Sequence, residues 1–228
     1  MVLMACGAPS AGRSEIVVSA ASSLSDAFTE MAEAFEASNP DVAITLNVGG
    51  SSSLREQILE GAAVDVFASA DSRNIEDVSG ELVGPARVFA RNVLQIGVPS
   101  GNPAHVVGLE DFERSDLLLG VCANSIPCGD LAERVLAAAG VEAVVDTYEP
   151  NVRALLGKIE AGELDAGLVY ATDVESSAAV DGLSVNVAHV SDYLIAMLDE
   201  SSEASAFIDF VLSDTGRQIL ERHGFVLP

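Results

Sequence analysis

The stretch VAITLNVGGSSSLREQIL, residues 42–59, contains the pattern that decides the fold. Its first seven residues are mostly apolar and are typical of a strand, its glycines and serines predict a turn, and Leu54 opens a helix. The same order occurs earlier in the chain, where residues 15–20 predict a strand, Ser22 and Ser23 lie in a turn, and an apolar-periodic helix follows. A strand, a serine turn and a helix therefore occur twice in succession.

The rest of the chain continues this alternation of strands and helices. Such alternation predicts the α/β class, with parallel strands covered by helices and a ligand bound beyond the carboxyl ends of the strands. Further strands are predicted at residues 64–68, 88–99, 117–122, 166–170, 184–190 and 193–198, and further helices at residues 130–139, from residue 151 and near the C-terminus.

Composition excludes several classes of partner. The 228 residues include 35 acids and 11 bases, which gives a formal net charge of −24. Nucleic acid and anionic lipid are poor partners for such a chain, because both repel negative charge. No run of about 18 apolar residues occurs, which argues against a membrane-spanning helix.

The N-terminus resembles the cleavage site and flexible tether of a bacterial lipoprotein. Leu3, Met4 and Ala5 precede Cys6, and glycine, proline and serine follow it. Residues 1–13 are therefore interpreted as a signal remnant and tether, with Cys6 as the lipidated residue. Only five residues precede Cys6, fewer than the apolar part of a secretory signal, so a chance cysteine is the alternative.

Four turns before predicted helices suit an anion. A helix start presents unpaired backbone N–H groups and the positive end of the helix dipole, and serine adds a hydroxyl donor. Each turn alone is more often an ordinary helix cap, so the four must be weighed together. These turns are Ser22-Ser23, Gly50-Ser51-Ser52, Pro127-Cys128-Gly129 and Asn151-Val152.

Seven motifs in order resemble those of the molybdate-binding proteins of ABC importers, which are type II solute-binding proteins. The motifs are AASSL at 20–24, GSSSL at 50–54, GAAVDVFASAD at 61–71, PCG at 127–129, PNVR at 150–153, GLVY at 167–170 and GF at 224–225. The resemblance implies two lobes with mainly parallel sheets, joined by two crossovers, around a ligand cleft. Residues 14–88 plus 194–228 would form lobe 1, and residues 89–193 would form lobe 2.

The resemblance also implies a set of ligand-binding residues. Ser23 and Ser51 would each offer a hydroxyl and a backbone N–H from lobe 1. Cys128 and Val152 would each offer a backbone N–H from lobe 2, and Tyr170 would offer its phenol. The ligand would be molybdate or tungstate, bound as an intact oxyanion with no protein atom on the metal, and no cofactor is implied. Arg153, beside this set, is predicted to pair with nearby acids.

Cys128 departs from the family, which commonly has a small residue such as alanine at this place. A backbone donor tolerates the change. In an oxidising extracytoplasmic compartment Cys122 and Cys128 are expected to form a disulfide, with two buried thiols as the alternative. A metal site is not indicated, because no cysteine or histidine partners follow at ligand spacing.

The expected partners are a small oxyanion and a membrane permease, and the chain is expected to be a monomer outside the cytoplasm. Three other functions stay open. The first is a binder of another solute, such as sulfate, thiosulfate or a carboxylate, on the same fold. The second is a serine hydrolase built on Ser51 or Ser52, although Gly-x-Ser-x-Gly is absent and no histidine has a triad context. The third is the effector domain of a transcription regulator, although no helix-turn-helix precedes Ile16.

Overall fold

The computed structural model describes residues 13–186 and 189–228, and it contains two five-stranded sheets that are each flanked by helices. The predicted α/β class is therefore confirmed. The chain passes between the sheets twice, once at Val93 and once between Ser184 and Ser191. Within the described ranges, every helix is too short or too polar to span a bilayer. Cys6 and most of the predicted tether lie outside the described residues.

The sheets contain ten strands and the flanking layers contain eight α-helices, numbered here in chain order over the described residues. The strands are β1 Ser14–Ala21, β2 Val42–Gly49, β3 Val66–Ser69, β4 Arg87–Asn92, β5 Leu94–Pro99, β6 Leu119–Cys122, β7 Thr147–Glu149, β8 Ala166–Tyr170, β9 Val180–Ser184 and β10 Ser191–Met197. The helices are α1 Ser25–Ser38, α2 Ser51–Leu59, α3 Ser72–Asp77, α4 Pro127–Ala139, α5 Val152–Glu160, α6 Ala171–Glu175, α7 Ser202–Leu212 and α8 Asp214–Arg222. Short 3-10 turns occupy Ser22–Leu24, Ser79–Glu81 and Leu109–Glu113.

Both sheets have the same arrangement of directions. The first sheet has the order β2-β1-β3-β10-β4 and the second has the order β7-β6-β8-β5-β9. In each, the first three strands are parallel, the fourth is antiparallel to its neighbours, and four of the five strands therefore run the same way. Parallel strands end at the same edge, so the turns after β1 and β2 are neighbours, as are the segments after β6, β7 and β8.

Each sheet has its own apolar core. In α1, the predicted stripe of Phe28, Met31 and Phe35 is buried against the first sheet, and Phe207 from α7 packs edge-on against both phenylalanine rings. Against the second sheet, α5 buries Leu155 among other apolar residues. Burial of these faces stabilises the packing of each helix on its sheet by about 25 cal/mol per Å² of apolar surface removed from water. This packing holds the start of each helix in place.

Two predictions about the strands need correction, and one strand was not predicted. The extended run at 88–99 is two strands, β4 and β5, which belong to different sheets. The strand predicted at 184–190 is wrong, since only Ser184 of its described residues lies in a strand. β9 instead begins at Val180, opposite Pro99 of β5. The edge strand β7 was not predicted, because its three residues are too few to show a pattern.

The sheets also bear on the predicted lobe boundaries. Within the first sheet, β4 continues to Asn92 and β10 begins at Ser191, so both strands extend past the predicted ends at residues 88 and 194. Division of the chain into two lobes at these residues stays a prediction.

Candidate anion-binding site

A small cavity lies where the carboxyl edges of the two sheets face each other. Its volume is about 20 Å³ when measured with a water-sized sphere, whereas one water needs about 10–15 Å³ on this scale. The space therefore suits a compact ion and excludes a large metabolite. The lining residues are Ala21, Ser22, Ser23, Gly50, Ser51 and Ala70 on the side of the first sheet, and Ile126, Pro127, Cys128, Asn151, Val152 and Tyr170 on the side of the second.

All five residues predicted to bind the ligand line this cavity, and each is less than 5 % exposed. Ser51 and Val152 are the first residues of α2 and α5, Cys128 is the second residue of α4, and Ser23 lies in the 3-10 turn before α1. Backbone N–H groups in the first turn of a helix have no partner within it, and the dipole makes this end positive. The sequence therefore places four sets of donors around one point.

The helices that begin at the cavity leave their first N–H groups accessible. Gly50 and Ile126, which precede α2 and α4, have no side chain that caps the helix. Asn151 does cap α5, but its Oδ1 accepts from the N–H of Ala154 at 2.9 Å, which leaves the N–H of Val152 free for a ligand. By contrast, the first residues of α3, α7 and α8 do not line the cavity, and each of these helices is capped by the side chain before it: Asp71, Ser201 and Ser213.

Three hydroxyl groups add to these backbone donors. The Oγ of Ser51 accepts a hydrogen bond from the N–H of Ala70 at 3.1 Å, and the Oγ of Ser23 lies 2.8 Å from the Oη of Tyr193. Tyr170 is fully buried, and its Oη has no hydrogen-bond partner within the described chain. A buried hydroxyl without a partner costs about 1–3 kcal/mol, which points to a ligand that accepts its proton. Burial also raises the pKa of Tyr170, so the phenol keeps that proton.

A disulfide joins Cys122 to Cys128, with an S–S distance of 2.11 Å. Cys122 is the last residue of β6, and Cys128 lies in the first turn of α4. The bond therefore spans the loop that carries Ile126 and Pro127, two residues of the cavity wall. A covalent tie at this place limits the movement of the N–H groups that begin α4.

Arg153 lies beside the cavity and pairs with two acids, as predicted. Its Nη2 is 2.6 Å from Oδ2 of Asp26, which belongs to α1, and its Nε is 3.0 Å from Oδ1 of Asp173, which belongs to α6. The contact with Asp173 lacks hydrogen-bond alignment. Asp173 is fully buried, and burial raises its pKa to about 7 although Arg153 opposes the shift. Arg153 is thus committed to carboxylates and does not line the cavity.

Contacts across the cleft hold the helix starts together. The hydroxyl of Ser52 donates to the backbone carbonyl of Ser125 at 3.1 Å, and the ion pair between Arg153 and Asp26 joins the same two sides. These contacts lie beside a cavity whose lining residues are little exposed.

No histidine of the described residues lines the cavity beside Ser51. His105, His189 and His223 are absent from the cavity lining, and the Nε2 of His223 lies instead 2.8 Å from an oxygen of Glu30. Across residues 13–186 and 189–228, no three side chains of histidine, cysteine or acids cluster so as to hold a metal ion.

Two residues near the cavity were not predicted from the sequence. Tyr193 and Asn92 contact the site from β10 and β4, on the antiparallel side of the first sheet. Neither lies next to a helix start, so no motif or spacing marked them.

Comparison with known proteins supports an assignment of the chain to a family. Residues 16–226 match the family described as bacterial extracellular solute-binding protein. The molybdate-binding protein ModA of Mycobacterium tuberculosis is 36 % identical over 243 residues, which cover 99 % of this chain and 93 % of that protein.

Solved structures have the same fold. A structure described as the substrate binding domain of a putative molybdenum ABC transporter from Clostridium difficile has a TM-score of 0.71 and 25 % identity, with 94 % of this chain and 99 % of that chain covered. The sulfate-binding protein SubI of Mycobacterium tuberculosis has a TM-score of 0.82 and 15 % identity, with 94 % and 87 % covered. The latter likeness shows the fold alone, because the fold is common to proteins with different ligands.

Proposed function

The chain belongs to the family of bacterial extracellular solute-binding proteins, and we propose that it binds molybdate or tungstate outside the cytoplasm and delivers the ion to the membrane permease of an ABC transporter. The proposal is supported by 36 % identity, over almost the whole chain, to a molybdate-binding protein. On this proposal the chain is a binding protein and has no catalytic residue.

The observation that carries the proposal is the donor character of the cavity. A tetrahedral oxyanion has four oxygens that accept hydrogen bonds, and the cavity offers hydroxyl and N–H donors without any lysine or arginine in its lining. Hydrogen bonds to a charged group contribute about 1.5–3 kcal/mol each, so several together offset much of the cost of removing a dianion from water. We assign these bonds to Ser23, Ser51, Cys128, Val152 and Tyr170.

The acidity of the protein does not oppose this assignment. The net charge of −24 repels anions at long range, but salt screens that repulsion over about 8 Å at physiological ionic strength. At the cavity, the N-terminal ends of α2, α4 and α5 lie at contact distance from the bound ion, and the dipoles of these helices favour negative charge there. Local dipoles therefore decide the affinity.

The proposed transport role also defines the larger organisation. We propose that lobe 1, residues 14–88 with 194–228, and lobe 2, residues 89–193, rotate about the two crossovers to admit the ion, and that the closed monomer docks on the permease. We further propose that lipidation of Cys6 holds the protein at the membrane surface, with residues 1–13 as the tether. The relative named as a putative substrate-binding lipoprotein in Bacillus subtilis, 27 % identical, supports this last proposal.

The test is a thermal-shift and calorimetric titration with molybdate, tungstate, sulfate and phosphate. A ligand at about one hundred times its Kd stabilises the folded protein by about 2.7 kcal/mol, which for a chain of this size raises the Tm by about 5–10 °C. We expect this shift with molybdate and tungstate alone. A flat response to both would overturn the proposal, and a shift with sulfate instead would assign the protein to another oxyanion.

A pair of serine variants tests the site itself. Ser51→Ala removes a hydroxyl at the cavity, and we expect it to weaken molybdate binding about 10- to 100-fold, because one hydrogen bond to a charged ligand is lost. Ser53→Ala, two residues along the same helix and exposed, is the matched control. Equal affinities for the two variants would contradict the proposed site. Turnover of ester substrates that Ser51→Ala abolishes would instead indicate a serine hydrolase.

A further inference from the structure

A buried row of polar side chains lies behind Ser23, on the side away from the cavity. The Oγ of Ser23 is 2.8 Å from the Oη of Tyr193, which in turn lies 3.5 Å from the Nδ2 of Asn92. Tyr193 is 0 % exposed and Asn92 is 1 % exposed, so water does not reach the row. Every proton in it must therefore find an acceptor within the protein or in the ligand.

The orientation of the Asn92 amide sets the direction of these bonds. The Oδ1 of Asn92 accepts from the N–H of Val93 at 3.0 Å, and its Nδ2 donates to the Oγ1 of Thr172 at 2.8 Å. The N–H of Val93 can only donate, so this contact places the amide oxygen toward Val93 and the nitrogen toward Thr172 and Tyr193. An amide nitrogen donates and cannot accept, so it offers no place for the phenolic proton of Tyr193.

The hydroxyl of Ser23 is consequently left to donate away from Tyr193. The Oγ of Ser23, at 2.8 Å, is the acceptor with hydrogen-bond geometry toward Tyr193 in the described chain, while the hydroxyl of Tyr170 lies nearby without that geometry. Once Tyr193 donates to that oxygen, the proton of Ser23 points elsewhere. Ser23 lines the anion cavity and also a second cavity beside Asp26 and Arg153, and an oxyanion in the first supplies an acceptor for that proton. Burial raises the pKa of Tyr193 well above its ordinary value, so the phenol keeps the proton that it donates.

We propose that Tyr193 is a positioning residue that fixes the hydroxyl of Ser23 as a donor toward the oxyanion, and that Asn92 sets this direction. The inference rests on the proposed function, because it names the residue behind one of the proposed ligand-binding hydroxyls. Ser51 is arranged in the same way by a different group, since the N–H of Ala70 donates to its Oγ and leaves its proton for the ligand.

The consequence concerns selectivity. A site that presents only donors favours an oxyanion whose oxygens are all deprotonated, such as molybdate, tungstate or sulfate. Inorganic phosphate carries at least one proton at neutral pH and needs an acceptor for it, which a serine held as a donor does not supply. Tyr193 therefore favours molybdate over phosphate without touching either ion.

Substitution of Tyr193 by phenylalanine separates this role from packing. The Tyr193 ring packs edge-on against Phe225 at 5.3 Å, Tyr170 at 6.0 Å and Phe89 at 6.4 Å between centroids, and phenylalanine retains these contacts. We expect Tyr193→Phe to weaken molybdate and tungstate binding about three- to tenfold, the range for one neutral hydrogen bond, and to leave phosphate binding unchanged or stronger. Tyr148→Phe, on the exposed edge strand β7, is the matched control.

A double-mutant cycle with Ser23→Ala, measured by calorimetry, decides whether Tyr193 acts through Ser23. We expect Tyr193→Phe to have no effect on molybdate affinity when Ser23 is already alanine. An equal loss in both backgrounds would overturn the inference, because a packing role does not depend on the serine hydroxyl. If the single variant Tyr193→Phe does not fold, the double variant is compared with Ser23→Ala alone. Equal affinities support the inference and a further loss overturns it.

The wild-type titration separates the two proposals. Failure of the wild-type protein to bind any of molybdate, tungstate, sulfate and phosphate would overturn the proposed function and the role of Tyr193 together. Tight binding of molybdate by wild type, with additive losses in the cycle, would overturn the role of Tyr193 alone.

Discussion

Asp173 is a fully buried acid, and the removal of its carboxyl group from water costs the folded protein free energy. The residue follows Tyr170 by three positions, so it lies close behind the cavity, and its carboxyl oxygens have no hydrogen-bond partner within the described chain. Its charged neighbour is Arg153, whose Nε lies at 3.0 Å. The guanidinium group of Arg153 also pairs with Asp26, so its charge is shared between two carboxylates. A fully buried acid with so little compensation favours its protonated form. Stability should therefore depend on pH through this group.

We expect Asp173 to make the protein less stable as pH rises from about 4 to about 7. Its pKa is about 7 in the folded protein against an ordinary value of 3.8, so over this range the folded state binds a proton that the unfolded chain has released. The free energy of unfolding then falls by up to about 1.4 kcal/mol per pH unit from this group, and levels off above pH 7. Urea unfolding of wild type and Asp173→Asn at several pH values measures the difference.

The comparison isolates Asp173 because other carboxyl groups contribute to both proteins equally. The stability of Asp173→Asn relative to wild type should rise through that pH range. Asp209→Asn, which removes an exposed carboxylate from a surface ion pair, is the control for loss of charge. Parallel pH profiles for wild type and Asp173→Asn would contradict the buried, protonated acid.

At the scale of elements, α2 and α5 approach each other closely at their first residues. A β-carbon on Gly50 would lie 3.0 Å from the carbonyl oxygen of Pro150 and 3.5 Å from the Cβ of Asn151. The backbone of Gly50 is in an ordinary extended conformation, with φ of −63°, so any residue could adopt it. Glycine is therefore needed for the approach of the two helix starts across the cleft.

We expect Gly50→Ala to weaken ligand binding while the unliganded protein keeps its stability. The added methyl group presses on Pro150 only when the two sides are together, so it opposes closure. A separation of a few tenths of an ångström lengthens several hydrogen bonds to the ion at once, and we expect a loss of affinity of about tenfold or more. Calorimetry with molybdate measures affinity, and urea unfolding without ligand measures stability.

Gly157→Ala is the matched control for this change, because a β-carbon there has no neighbour within 4 Å. It lies in the interior of α5, where alanine is favoured over glycine. Unchanged affinity in Gly50→Ala would show that the cleft does not need the close approach.

Elements were predictable where a strand or helix buries one continuous face. The periodicity of α1 and the apolar run of β1 indicate their structure directly, since both are buried along their length. The antiparallel strands were harder to predict, because a strand that changes sheets carries no mark of the change. β4 and β5 are separated by Val93 alone, so the sequence from 88 to 99 shows one apolar run. In β9 Val180 is buried, but exposed Asp181 and Gly182 follow, and the pattern misleads.

Some residues of the candidate site could likewise be predicted from the sequence, and others could not. Serines and asparagine before helices indicate an anion site, and the parallel strands bring those turns to one edge. Tyr170 carries no such mark, and the resemblance to a family was needed to include it. Tyr193 was reached only through the structure, because its contact with Ser23 joins residues 170 positions apart.

At the scale of the whole molecule, the cavity exists because two sides of the protein meet. The ion pair of Arg153 with Asp26 is one of the few contacts that cross the cleft, and Asp26 is about half exposed. A partly exposed pair contributes about 0.2–1 kcal/mol and is screened by salt. The pair should therefore favour the closed form modestly, and more at low ionic strength.

We expect Asp26→Asn to weaken molybdate binding up to about fivefold at about 0.02 M salt and by less at about 0.5 M salt. Because the pair forms only on closure, the loss should lie mainly in faster release of the ion. Stopped-flow and calorimetric titrations at the two salt concentrations measure it. Asp77→Asn is the matched control, since Asp77 is 45 % exposed and pairs with Arg55 at 2.9 Å on one side of the cleft. If both variants lost the same affinity, or if the loss in Asp26→Asn did not depend on salt, the pair would have no part in closure.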